Sequence, residues 1–244
     1  MSNENRHSHY AVTVVMPALN EEGCLAASVA NVLESFSRCG IAGELIIVND
    51  GSGDGTGTLA ERLRGEHPAV IGVIHHESPR GIGAAFWAGV ERAGGEAVVM
   101  IPGDGENDAG EILGHLPLLQ RVDMVVPYVG NPQVRTPARR LLSALYGKIV
   151  NLSFGLSLKY LNGTVMYRRE ALRGIELKSG GFFYQAELLI KTVRRGCRYA
   201  EVPYRLNRRH GGASKATTWR AFARVLRAYV AIFADVYFAR PGNG

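Results

Sequence analysis

Three carboxylates stand within five residues in Asp104-Gly105-Glu106-Asn107-Asp108, directly after the apolar run Val99-Met100-Ile101. In extended backbone successive side chains alternate faces, so Asp104 and Glu106 are expected to point the same way. Two carboxylates on one side of a strand end suit a hard divalent cation that also holds phosphate oxygens. Such a site belongs at the carboxyl edge of a sheet, where open α/β folds bind ligands. The alternative is an acidic loop capping a helix that starts near Ala109, a position acidic residues favour.

Other segments carry chemistry in the same style. Met16-Pro17-Ala18-Leu19-Asn20-Glu21-Glu22 follows the first apolar run and ends in residues that start a helix well. Val48-Asn49-Asp50-Gly51-Ser52-Gly53-Asp54 puts a carboxylate at a strand tip before a glycine-rich turn. Asp50 there can accept hydrogen bonds from a base or ribose, and the glycines allow close backbone approach. The same residues are also plain turn formers. Pro79-Arg80-Gly81-Ile82-Gly83 lacks the spacing of a dinucleotide fingerprint, but amides at such a helix start can face an anion.

Arg208-Arg209-His210-Gly211-Gly212-Ala213-Ser214-Lys215 sets cations on a glycine-rich loop suited to closing over a phosphate, or to lying in solvent. Glu187, among Phe182, Phe183, Tyr184 and Leu188, is placed to act as a base with a raised pKa. Its rival role is a surface ion pair with Lys191, four residues on.

The elements that must position these residues follow from the apolar pattern. Runs at Val12–Met16, Leu45–Val48, Val70–Ile74, Ala97–Ile101 and Met124–Val126 alternate with helix-length segments at 22–38, 57–65, 81–93 and 109–119. That alternation predicts βαβ units and a mainly parallel sheet covered on both faces. After a basic connector flanked by Pro132 and Pro137, a helix over 138–154, a strand over 163–168, a helix over 184–195 and a strand over 199–204 are expected. Residues 1–10 read as a flexible tail and 11–216 as one domain, with a nucleotide-binding half at 11–130 and an acceptor half at 131–216. A basic amphipathic helix over 217–240 is suited to an anionic membrane surface, to the domain core, or to a second copy of the chain as a homodimer.

Bulk properties narrow the classes. The chain has 244 residues, 46% hydrophobic and 20% charged, which are globular values. Cys24, Cys39 and Cys197 offer neither a disulfide framework nor zinc spacing. No apolar run reaches the length of a bilayer span, and the first ten residues lack a signal-peptide core, so a cytoplasmic protein, peripheral on the inner face of the membrane, is expected. The net charge of +6 calls for an anionic partner. Its concentration in the second half, opposite acidic loops in the first, argues against nucleic acid.

Four of these motifs, in this order, resemble family 2 glycosyltransferases of the GT-A fold, especially the dolichol- and polyprenyl-phosphate mannosyl- and glucosyltransferases. They are Pro17-Ala18-Leu19-Asn20-Glu21, Asn49-Asp50-Gly51-Ser52, Asp104-Gly105-Glu106, and Arg209-His210-Gly211-Gly212-Ala213-Ser214-Lys215. The resemblance runs from about Val12 to Lys215. It implies a single Rossmann-like α/β domain and an inverting sugar transfer from a UDP- or GDP-sugar. Pro17, Ala18 and Glu21 would then line the nucleotide pocket, with Asp50 on the base. Asp104 and Glu106 would hold Mg2+ or Mn2+ against the donor diphosphate, with Asp108 as a further ligand or sugar contact. Arg209 and Lys215 would engage phosphates as their loop closes.

Two departures from the family pattern stand out: Glu106 replaces a usual Asp, and Lys159-Tyr160-Leu161-Asn162-Gly163 lacks the usual Asp before its glycine. A hydroxyl acceptor needs a base, whereas a lipid phosphate is already ionised and needs cations. Arg135, Arg139, Arg140 and Lys159, beside Asn162, therefore favour polyprenyl phosphate as acceptor. Glu187 is the base if the acceptor is a hydroxyl of a lipid, glycan or small molecule. Glu106 also leaves room for a degenerate nucleotide-sugar-binding or scaffold protein.

Overall fold

A computed structural model describes residues 10–205 and 219–238, with side chains from residue 223 onward in the last segment. Its strands and helices alternate as the apolar pattern requires. They are β1 (Val12–Ala18), α1 (Leu25–Cys39), β2 (Gly43–Asp50), α2 (Thr56–Glu66), β3 (Ile71–His76), α3 (Ile82–Arg92), β4 (Ala97–Met100) and α4 (Ala109–Leu113). Then come β5 (Met124–Val129), α5 (Pro137–Phe154), β6 (Met166–Arg168), α6 (Arg169–Leu172), α7 (Tyr184–Arg194), β7 (Tyr199–Tyr204) and α8 (Trp219–Phe238).

One seven-stranded sheet runs through both halves in the order β3-β2-β1-β4-β6-β5-β7. All pairings are parallel except those of β6, which is wedged antiparallel between β4 and β5. β1 is buried at all seven positions, as a central parallel strand must be. Its alternation divides the core between two faces. Val15, with Ile46, Val48, Phe86 and Val98, faces the layer that holds α3, α5, α7 and α8. Val14 and Met16, with Leu45, Ile47 and Val99, face α1, α2 and α4.

Two departures from the predicted pattern have a clear local cause. The helix expected over 109–119 stops at Leu113, where Gly114 follows, and resumes as a 3-10 turn, Leu116–Gln120, opened by Pro117. Glycine weakens the helix and proline removes a donor, so the two together break it. The strand expected from 163 begins at Met166. Gly163 is pressed against β5, where an added Cβ would stand 2.4 Å from the Pro127 carbonyl oxygen.

Of the three fates open to the C-terminal helix, the structure shows packing on the core. Ile232 is fully buried, and Tyr229, Phe233 and Tyr237 surround Phe154 at ring distances of 5.8, 5.9 and 6.4 Å. Ser153 at the end of α5 ties in both tyrosines. Its hydroxyl lies 2.6 Å from Tyr229 Oη, and its carbonyl accepts from Tyr237 Oη at 2.7 Å. Among the described residues no helix is long and apolar enough to cross a membrane.

Candidate active site

The carboxyl ends of β1 and β2 are stitched to each other by side chains the sequence singled out. Asn20, whose φ of 55° is the sole positive value at a non-glycine among the described residues, donates its N–H to Ser52 Oγ at 3.0 Å. Its Oδ1 accepts the Gly53 N–H at 2.8 Å. The Glu21 N–H donates to Thr56 Oγ1 at 2.9 Å. Asn20 and Ser52 therefore shape the two loops, holding Pro17, Ala18 and Glu21 beside the Asp50–Gly51 turn. The strain at Asn20 is offset by these bonds, a pattern that recurs at functional loops.

Asp50 is almost fully buried and turned inward. Its Oδ1 accepts His76 Nδ1 at 2.7 Å and the Arg80 N–H at 2.9 Å, while Oδ2 accepts the Gly81 N–H at 2.8 Å. The next amides of α3 are also spoken for, since Gly83 and Ala84 donate to the Gly180 carbonyl at 2.9 and 3.2 Å. This corrects the anion-facing expectation for Arg80, Gly81 and Gly83: their N–H groups bind the protein itself. The glycines serve close packing. Gly81 has φ +101°, and an added Cβ would meet the Gly180 carbonyl oxygen at 2.5 Å; one on Gly83 would meet the Ser179 carbonyl at 2.6 Å.

Glu187 lies at the far end of the same chain of contacts. Its carboxylate is fully buried and accepts the N–H of Lys178 and of Ser179, each at 2.8 Å, and Lys191 Nζ at 2.7 Å. Both oxygens are thus committed to holding the 178–181 loop that presses on α3. Of the two roles open to Glu187, its contacts show the ion pair with Lys191, and that pair is buried instead of lying at the surface.

The carboxylate segment is a turn, not the extended strand end the sequence suggested. Residues 103–105 turn sharply, with Gly105 at φ +72°, and Asp104 Oδ1 accepts the Glu106 N–H at 3.1 Å. Alternation along a strand therefore does not relate Asp104 to Glu106; the turn does. Its position fits the chemistry, because the Gly103 N–H donates to the Pro17 carbonyl at 3.1 Å and sets the turn against the end of β1. Asp108 shows the helix-capping alternative in its contacts. It caps α4, with Oδ1 accepting the N–H of Gly110 at 2.7 Å and of Glu111 at 3.2 Å. Among the described residues no three of His, Cys, Asp and Glu converge as a metal-holding group.

Cations and aromatic rings gather on the other side of the turn. Arg135 Nη1 donates to Tyr160 Oη at 2.8 Å, and the guanidinium lies 5.4 Å from the centre of that ring. Tyr204 is buried nearby. Desolvation holds its hydroxyl well above the usual tyrosine range, Tyr160 and Glu106 push the same way, and Arg135 opposes them. Charge at Glu106 and Arg135 is therefore felt at one tyrosine. Lys159 Nζ sits 4.5 Å over the Tyr128 ring, and its N–H donates to Glu201. Arg139, Arg140 and Asn162 are exposed, the first two in the opening turn of α5. The Arg205 N–H donates to Glu111 Oε2 at 2.7 Å, so the chain leaves β7 beside α4. Arg209 and Lys215 lie outside the described residues.

Comparison with known proteins decides the family. The model of glycosyl transferase family 2 matches residues 13–175. The chain belongs to that family. It is 32% identical to the polyprenol monophosphomannose synthase of Mycolicibacterium smegmatis, over 83% of this chain and 79% of the relative. Identity to the undecaprenyl-phosphate mannosyltransferase of Micrococcus luteus is 28%, covering 84% and 86%. Among solved structures, the glucosyl-3-phosphoglycerate synthase of Mycobacterium tuberculosis with Mn2+, UDP and phosphoglyceric acid superposes with a TM-score of 0.61. That match has 24% identity and covers 96% of this chain and 81% of that one. The fold is GT-A, and the chain is a glycosyltransferase.

For a family 2 enzyme the carboxylate turn fits a divalent cation as a partial shell. Asp104 keeps Oδ2 clear of hydrogen bonds among the described residues, and Glu106 stands two residues on. Mg2+ and Mn2+ are ordinarily held this way, by one or two carboxylates with substrate phosphates completing the shell. Sequence reasoning missed His76, Tyr128, Tyr160 and Tyr204. A signal existed for the first in His75-His76 at the end of an apolar run. The tyrosines carried none, because each is also an ordinary strand or loop residue.

Proposed function

We propose that this glycosyltransferase moves a sugar from a UDP- or GDP-sugar to the phosphate of a polyprenyl phosphate at an anionic membrane surface, with Mg2+ or Mn2+. The observation that supports the reading is the pairing of Arg135 with Tyr160 beside Tyr204, cationic and phenolic groups suited to holding a phosphate. Glu187 is saturated, and Glu201 Oε1 is held by the Lys159 N–H. An acceptor hydroxyl would have to lose its proton to some group; a phosphate monoester arrives ionised. The names of the two mannosyl-transferring relatives point the same way.

The phosphate oxygen forms a bond to the anomeric carbon as that carbon's bond to the nucleoside diphosphate breaks, the electron pair leaving with the diphosphate. A single displacement of this kind inverts the anomeric centre. Arg135 and Lys159 hold the acceptor phosphate, and the 17–21 and 50–54 loops fix the nucleotide. The cation, when bound at Asp104 and Glu106, supplies positive charge to the departing diphosphate. The Arg209–Lys215 segment adds further cations to the phosphates.

The membrane part of the reading rests on α5. Leu141, Leu142, Leu145, Ile149 and Leu152 recur along one side of the helix, each 46–75% exposed. Exposed Arg139, Arg140 and Lys148 share the helix. Leucines flanked by cations are the composition of a helix lying in the interface of an anionic bilayer. α8 adds the exposed Leu226 and Val230 while its opposite face stays docked on the core.

Turnover of a UDP- or GDP-sugar in the presence of polyprenyl phosphate and Mg2+ or Mn2+ tests the proposal. Loss of that turnover in a folded Asp104→Ala variant, and on chelation, is expected. Turnover untouched by either change would overturn it.

A further inference from the structure

A polar cleft of about 370 Å3 opens along the second half of α7, between that helix, the 174–178 segment and the end of α8. It lies away from the catalytic loops. β7 follows α7 and runs parallel to β5, so α7 ends at the amino edge of the sheet, whereas the candidate active site gathers at the carboxyl ends of β1, β2 and β4. The walls of the cleft present Lys178, Lys191, Arg194 and Arg195 together with Glu176 and Asp235. With Glu187 counted behind Lys191, four cations face three carboxylates, which leaves a surplus of one positive charge. Unused N–H donors also converge there. Lys191, 15% exposed at its side chain, gives two of its three N–H groups to the Glu176 carbonyl at 2.6 Å and Glu187 Oε1 at 2.7 Å, and keeps the third. Lys178 gives one to Asp235 and keeps two. The Arg194 guanidinium lies 5.4 Å from the centre of the Tyr237 ring and makes no hydrogen bond or ion pair among the described residues, so its donors are all available. Arg195 builds the wall instead, with Nη1 and Nη2 donating to the carbonyls of Arg173 and Gly174 at 3.0 and 2.8 Å.

We propose that this cleft is a second anion site, distinct from the catalytic edge, and that it binds a phosphate group. Arg194 supplies a planar fork matched to phosphate oxygens, and Lys178 and Lys191 supply point charges beside it. A phosphate monoester offers three acceptor oxygens, enough to engage all three side chains, whereas a carboxylate offers two. The cleft has the room of roughly a dozen waters at about 30 Å3 each, so the phosphate fits with a few atoms attached. Asp235 opposes the ligand by competing for Lys178, and Glu176 opposes it by charge. The phosphate comes from a lipid headgroup or from a soluble compound. Tyr237 and Phe238, exposed beside Arg194, give the rim an aromatic edge of the kind found at membrane interfaces. The site goes beyond the donor and acceptor reading and does not depend on it.

The test is NMR of the nitrogen-labelled full chain titrated with sodium phosphate, and with sodium chloride at matched ionic strength. Saturable shifts of the Gly174, Lys178, Arg194 and Arg195 amides are expected with phosphate and not with chloride. Arg194→Gln, at an exposed position, should weaken that binding by at least about tenfold, the effect of losing one charge-assisted contact. Asp235→Asn should tighten it, because Lys178 is released to the ligand. Arg135→Gln, in the acceptor cluster, should leave the response of the cleft unchanged. Displacement of the phosphate by phosphatidylglycerol vesicles would identify a lipid headgroup as the source, and displacement by glycerol 3-phosphate but not by vesicles a soluble phosphate. Shifts that follow ionic strength alone, that survive Arg194→Gln, or that vanish with Arg135→Gln would overturn the proposal, and the glycosyltransferase reading would stand in each case.

Discussion

Glu187→Gln separates a structural anchor from a catalytic base. The carboxylate faces three donors, the Lys178 N–H, the Ser179 N–H and the Lys191 ammonium, in a site with no solvent exposure. A glutamine presents one oxygen and one NH2, so whichever way it turns a donor meets a donor. Lys191, only 15% exposed at its side chain, also loses its counter-charge. Breaking a buried ion pair from one side typically costs about 3–5 kcal/mol. In a chain of this size each kcal/mol moves the melting temperature by roughly 2–4 °C, so a drop of about 6–20 °C is expected. Urea unfolding gives the stability, and initial rates taken well below the variant's melting point give the activity per folded molecule. Removing a true general base costs about a hundredfold or more in rate. A variant as stable as wild type but slowed by that factor would refute the anchoring argument and restore Glu187 as a base.

Two further outcomes follow from the surface of the molecule. Replacing Leu141, Leu145 and Ile149 together by serine should abolish co-sedimentation with vesicles rich in anionic lipid at low salt, and leave stability within about 0.5 kcal/mol per site, because all three are already exposed. Equal vesicle binding by wild type and variant would remove α5 from the membrane contact. Lys178 and Asp235 join the loop before α7 to α8 by an ion pair, and the hydrogen bond that the Lys178 ammonium donates to Asp235 raises the Lys178 pKa above its ordinary 10.5. A raised value means that the stabilisation is complete below the ordinary lysine pKa and is lost as pH climbs through the higher folded value. Thermal stability should therefore fall above about pH 10.5 by at most about 1 kcal/mol, as the pair is partly exposed, and Asp235→Asn should remove that component.

The fold was largely legible because the apolar runs are long, β-branched and evenly spaced. β1, β2, β5 and β7 fall where the runs do, and α5 and α7 begin and end within a residue of their expected bounds. Local breaks are harder to read: Gly114 ends α4 and Pro117 sits in the 3-10 turn after it, against an apolar period that runs on through 109–119. The site was legible in its motifs and less so in its geometry. Asp104 and Glu106 stand out by type as candidates, yet the turn at Gly105 depends on a left-handed φ that the carboxylate pattern alone does not announce. Asp108 and Glu187 show why alternatives stay open in sequence. A carboxylate that caps a helix or anchors a loop has the same sequence appearance as one that binds a metal or moves a proton. Only its hydrogen bonds distinguish them. The burial of α8 likewise depends on Phe154 and Ser153, seventy-odd residues away, which no helical periodicity in the tail can reveal.

The most direct measurement supplies the enzyme, its preferred nucleotide sugar and Mn2+ with equal amounts of polyprenyl phosphate and the matching polyprenol, and identifies the glycolipid by mass spectrometry. The account predicts sugar joined through the lipid's phosphate and none on the alcohol. Sugar on the polyprenol, with the phosphate untouched, would contradict it.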